Sequence, residues 1–216
     1  MILCAISFLL LSLLHSSTAL VTHAKALLYG ATNETDRGLQ KYFGAIEFYQ
    51  VSDQHVVVNG TIAGLTPGDH GFHVHVYGAY GKACAEAGPH FNPDKVNHGG
   101  PNDSERHVGD LGNIHAGGDG SVLIDIKDSK VSLNGRNSAV GRAVVVHAKP
   151  DDLGKGGAPD SKSTGAAGAR LACGIIGIVE ENDERNAALT SFASPLPIFI
   201  STFSTLVPVL FSYYTL

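Results

Sequence analysis

Short β-branched runs separated by glycine restrict this chain to an all-β fold. Val56-Val57-Val58, Val122-Leu123-Ile124 with Ile126, Val144-Val145-Val146 and Ile175-Ile176-Gly177-Ile178-Val179 have the length of strands, and no apolar helical repeat persists over ten or more residues. All 26 glycines lie between Gly30 and Gly177. Glycine weakens helices and suits tight turns, so the pattern predicts a sandwich or barrel. Two stretches resist assignment to strands, Gly78 to Glu105 and Lys149 to Arg170, both rich in Gly, Pro, Asp and Asn. Long loops in a compact domain usually carry function on a rigid scaffold.

The charges mark the folded block. The first charged side chain is Lys25 and the last Arg185, so all 15 basic and 20 acidic residues fall between them. A net charge of -5 without a clustered basic face excludes a nucleic-acid footprint. Residues 2–14, ILCAISFLLLSLL, followed by Ser17-Thr18-Ala19, read as a secretory signal occupying 1–19, with cleavage after Ala19. The domain is expected over 20–182, a linker over 183–195 and a hydrophobic tail over 196–216. The small residues Asn186-Ala187-Ala188, a spacer and that tail match a lipid-anchor signal with Asn186 as attachment residue; Ser191 and Ser194 are alternatives, and a retained membrane helix is the competing reading. The expected localisation is extracellular, with cell-surface tethering through the tail.

With Cys4 removed in the signal, Cys84 and Cys173 form an even pair in an oxidising compartment, and a disulfide is expected. Sequons at Asn33, Asn59 and Asn102 are candidate glycosylation sites, with Asn102 expected to be hindered by its place among the candidate ligands.

Histidine supplies the chemistry. In Gly71-Phe72-His73-Val74-His75-Val76, period-two alternation places both imidazoles on one face and the apolar residues on the other. GPHFNP adds His90, HGGP adds His98, HVGDLG adds His107 and Asp110, and VVVH ends on His147. Imidazoles without nearby thiolates suit copper and zinc rather than a zinc finger or an iron-sulfur cluster.

The segments GFHVH, GPHFNP, HGGP, ERHVGDLGN, VVVHAKPDDLGKGG and GARLACGIIGI together resemble the signature of the copper-zinc superoxide dismutase family, in order and spacing, from about Lys25 to Glu180. The resemblance implies an eight-stranded Greek-key β-barrel or sandwich with two long functional loops. It implies one copper ion per subunit on His73, His75, His90 and His147, and one zinc ion on His90, His98, His107 and Asp110, with His90 shared. Asp151 matches the carboxylate that links His73 and His98. Superoxide is the implied substrate, converted to oxygen and hydrogen peroxide. His90 and Arg170 match catalytic positions, the first exchanging a proton and the second guiding the anion, and Thr164 matches the other side of a narrow channel.

The resemblance also implies a homodimer through Tyr77-Gly78, Val140-Gly141 and Ile178. His15, His23, His55, His70 and His115 match no ligand position. One departure stands out: in Gly156 to Thr164, Pro159 replaces an acid of the guiding loop and Lys162 stands one residue early. That shift bears on the rate through a field that reaches about 10 Å at 0.1 M salt. A copper chaperone carrying a related domain is the alternative. The complete copper set and the absence of a CxxC pair argue against it.

Overall fold

The computed structural model describes residues 19–31, 41–79 and 81–182. The signal, Asn33, the linker, Asn186 and the tail lie outside these residues. The strands are β1 (Leu20–Gly30), β2 (Tyr42–Ser52), β3 (His55–Ala63), β4 (Gly68–Val74), β5 (Asp110–Ala116), β6 (Ser121–Asp128), β7 (Ala143–His147), β8 (Arg170–Ile175) and β9 (Gly177–Asn182). They pair antiparallel in the order β5-β4-β7-β8-β1-β2-β3-β6, with β9 also on β1. The β5–β6 hairpin brings the two ends of that order together, which makes a nearly closed barrel.

Eight strand positions hold nine strands because the last one is interrupted. Ile176 is buried, and its amide donates to Arg142 O while its carbonyl accepts from Gly141 N, both at 2.8 Å. Those bonds lead away from β1 and divide the run Ile175 to Val179 into β8 and β9.

The barrel is filled by alternating apolar residues, among them Leu28, Ile46, Phe48, Val58, Ile62, Phe72, Leu111 and Ile124. Along β4 the expected alternation holds on the inner side, where Phe72 and Val74 are fully buried. The outward histidines, His73 and His75, are also buried, at 0% and 1% exposure. The two long loops cover them.

Among the described residues these loops comprise 75–79 with 81–109, and 148–169, and are only slightly helical. The first holds a single 3-10 turn at Ala85–Ala87, the second a four-residue helix α1 (Ser161–Thr164). Cys84 in the first loop is bonded to Cys173 on β8, 89 residues away, as parity predicted. The bridge ties the loop to the barrel wall. Replacing both cysteines with serine should therefore destabilise the metal-loaded protein by about 4 kcal/mol in the chain-entropy account. A denaturant midpoint measured at equal metal content would test this, and an unchanged midpoint would contradict it.

Candidate metal centre

Seven buried side chains converge at the join of the barrel and the two loops. His73 sits on β4, His75 just beyond it, His147 at the end of β7 and Asp110 at the start of β5. His90, His98 and His107 come from the first loop. His75 and His90 form an isolated β-bridge, which registers that loop on the barrel.

Possible ligand atoms gather within 4.8 Å in two sets of four, His73, His75, His90 and His147, and His90, His98, His107 and Asp110, and in a smaller group of His73, His98 and Asp151 that joins them. All seven residues are at most 5% exposed. His90 belongs to both sets, its ring 4.0 Å from that of His73 and 5.3 Å from that of His98, centroid to centroid. These seven are the residues that the family resemblance pointed to as candidate ligands.

The hydrogen bonds show which nitrogens are available. His73 Nε2 bonds Asp151 Oδ2 at 2.8 Å, His75 Nδ1 bonds Gly88 O at 2.8 Å, and His147 Nδ1 bonds Gly168 O at 3.2 Å. His98 Nε2 bonds Asp151 Oδ1 at 2.8 Å, and His107 Nε2 bonds Val96 O at 3.1 Å. Each of these imidazoles is oriented through one nitrogen and turns the other into the cluster. His90 alone turns both inward, with Nδ1 2.9 Å from Asp110 Oδ1 and Nε2 within the first set.

His73 Nδ1, His90 Nε2 and His98 Nδ1 are buried without a hydrogen-bond partner. His98 Nδ1 lies 3.0 Å from Asp110 Oδ2, close enough for an ion pair but off the line of a hydrogen bond. Buried polar atoms rarely stay unsatisfied, so orphaned nitrogens facing one another fit metal cations.

Asp151 sits between the sets, one oxygen on each. Gly165, at φ 66°, makes this approach possible: a Cβ there would collide with Asp151 Oδ1 and His98 Nε2. The carboxylate is itself positioned by Asn113, whose side chain donates to Asp151 O at 2.8 Å and accepts from Asp151 N at 2.7 Å.

Electrostatics differ between the sets. Burial, with like charge from His90, drives His73 and His75 well below the usual imidazole range, and burial brings His147 down to about 4. Burial also acts to lower His98, but its contacts with Asp110 and Asp151 outweigh that and raise it to about 9. The metal-free protein thus carries a proton on His98 at neutral pH. A cation taking Nδ1 must displace that proton, so its affinity should weaken about tenfold per pH unit as pH falls below 9, while the neutral His75 and His147 release none at pH 7. Calorimetry in buffers of different ionisation heat measures the proton count. Zinc uptake without proton release at pH 7 would contradict this account.

Arg170, the first residue of β8, is half-buried and donates to Cys84 O, Ala85 O and Gly88 O. Gly88 O is also the acceptor for His75 Nδ1, so a single carbonyl fixes both the guanidinium and an imidazole. Thr164 closes α1 with its hydroxyl on Asp160. A cavity of about 380 Å³ opens beside His90 and His107, with Lys162 and Ser163 on its wall.

Residues 42–176 match the copper/zinc superoxide dismutase (SODC) family. An extracellular superoxide dismutase (Cu-Zn) of Caenorhabditis elegans is 44% identical over 197 residues, which cover 90% of this chain and 88% of that protein. This chain belongs to the copper/zinc superoxide dismutase family. Membership accounts for the paired sets, and it makes the chain a superoxide dismutase dependent on copper and zinc.

Sequence reasoning missed three side chains that support this superoxide dismutase site. His70 matches no ligand position, yet it is buried, with Nδ1 2.7 Å from His147 O and Nε2 2.8 Å from Thr66 O. Arg106, 1% exposed, pairs with Asp128 at 2.6 Å and donates to the carbonyls of His107 and Asp110. Asn113 is the third. Its only signal was adjacency to Gly112 in the matched DLGN segment.

Proposed function

We propose that this dismutase is secreted and works with copper on His73, His75, His90 and His147 and zinc on His90, His98, His107 and Asp110. The observation that carries this division is the orientation of His90, the one imidazole with both nitrogens inside the cluster. Copper, when bound, supplies the one-electron chemistry by which two superoxide ions and two protons give oxygen and hydrogen peroxide. The protein's part is positioning and charge. His90 Nε2 is the atom that takes and returns a proton. Asp151 holds His73 and His98 by their outer nitrogens, which fixes tautomer and ring orientation. Arg170 presents a fixed positive charge to a small anion, with Thr164 across the channel. Lys162 and Ser163 stand where the guiding loop departs from the family pattern.

Secretion is supported by the extracellular relative and the apolar 2–14 segment. The signal over 1–19, the linker, the tail and attachment at Asn186 remain part of this proposal, as does membrane association through the tail. Asn102 is exposed in a turn and Asn59 half-buried in β3, so Asn102 is the better placed of these two sequons for a glycan. Exposed Tyr77 and Ile178, with Gly78 and Gly141 packed back to back, supply an apolar face for a homodimer.

The test is superoxide consumption by protein loaded with one copper and one zinc per subunit. Full occupancy without consumption would refute the proposed site. Release from intact cells by a phosphatidylinositol-specific phospholipase, or its failure, separates a lipid anchor from a peptide span.

A further inference from the structure

We infer that Arg142 is a positioning residue for the copper set, locking His75 and His90 together from the residue that leads into β7. The inference rests on the copper assignment proposed above. His75 and His90 meet in an isolated bridge with no ladder on either side, so the register of the loop on β4 needs another support. Arg142 spans that bridge. Its guanidinium lies 3.6 Å from the centre of the Phe91 ring, and Nη1 donates to Val76 O at 2.7 Å.

Phe91 and Val76 are the residues that follow His90 and His75. Their backbones already cross-link the bridge, Phe91 N to Val74 O and Val76 N to Pro89 O, each at 2.9 Å. The side chain thus grips both strands of the bridge one residue beyond each histidine. It is held in turn by Nε on Ser138 O at 2.8 Å, and its own carbonyl accepts from Ile176. From Arg142 the chain enters β7 and ends on His147, whose Nε2 lies 3.3 Å from that of His75.

One half-buried side chain therefore contacts the neighbours of two copper-set histidines and begins the strand that delivers a third. A solvated surface arginine would not direct its flat face and two separate nitrogens at three partners. The planar guanidinium suits this combination of stacking and forked donation, and lysine does not.

The test uses protein carrying copper in the first set and cobalt in the zinc set. Arg142→Gln should weaken copper about tenfold and change the hyperfine splitting of the copper paramagnetic resonance spectrum, while the visible spectrum of cobalt, which shares only His90 with the copper set, changes less. Arg142→Lys keeps the charge but not the fork and should show most of the same change. Phe91→Leu keeps apolar bulk and removes the stacking face, and it decides the matter together with Arg142→Lys if Arg142→Gln fails to fold. Unchanged copper affinity and spectrum in the folded variants would overturn the inference. Equal disturbance of copper and cobalt would overturn it too, since that is the mark of general loosening. A wild-type protein lacking a four-nitrogen copper signal would instead refute the copper assignment, and this inference with it.

Discussion

Asp110→Asn should weaken zinc binding by more than the about 100-fold that loss of an outer hydrogen-bond partner costs, because a ligand itself is changed. Asp110 Oδ1 faces His90 Nδ1 at 2.9 Å and His107 Nδ1 at 3.0 Å, while Oδ2 accepts from the amides of His107 and Gly99 at 2.8 and 3.2 Å. An amide cannot serve both sides, since its NH2 must meet either the backbone donors or the imidazole nitrogens meant for the cation. The negative charge that complements the cation is lost as well. Burial opposes ionisation of Asp110, but hydrogen bonds from His107 and His90 and the ion pair with His98 hold it far below the usual carboxylate range. The wild-type carboxylate therefore stays ionised in mild acid, and zinc loss on acidification follows protonation of the histidines. Chelator competition measures the effect, and copper retention by His73, His75 and His147 provides the internal comparison. Zinc affinity equal to that of wild type would remove Asp110 from the proposed ligand set.

The barrel was legible in the sequence because β-branched runs and glycine turns are local signals. The candidate ligands were legible through the family resemblance, because five of its six ordered segments carry them at matching spacings. What stayed hidden depends on tertiary contacts. The break at Ile176 arises from pairing with Gly141 and Arg142, which nothing in GIIGIV announces. Burial of His73 and His75 on the outward face of β4 requires loops whose course no periodicity describes. His70, Arg106 and Arg142 are polar residues that a linear reading assigns to solvent, and each is drawn inward by carbonyls or carboxylates distant in sequence, while Asn113 stays exposed and reaches the backbone of Asp151. Their roles follow from partners, and partners are a property of the fold.

Arg170→Ala should lower kcat/KM for superoxide by about 10–100-fold, within the range by which electrostatic guidance raises association rates. Metal content should not change, because Arg170 reaches the first loop through backbone carbonyls rather than through a ligand atom. The variant should also lose much of its salt dependence. In the wild type, salt screens the attraction between a fixed guanidinium and a small anion over about 10 Å at 0.1 M, and without the cation less remains to be screened. Arg170→Lys separates charge from geometry. An ammonium cannot reproduce the fork that joins Cys84 O and Gly88 O, so it should restore part of the rate and part of the salt dependence. Cutting the Cys84–Cys173 bridge should move the rate in the same direction as Arg170→Lys, since Cys84 supplies one of the carbonyls that orient the guanidinium. Stopped-flow superoxide decay across ionic strength measures all three. Equal rates for wild type and Arg170→Ala at equal copper and zinc content would show that the anion finds the copper without this residue, and the channel would then have to be reassigned to Lys162 and Ser163 beside His90.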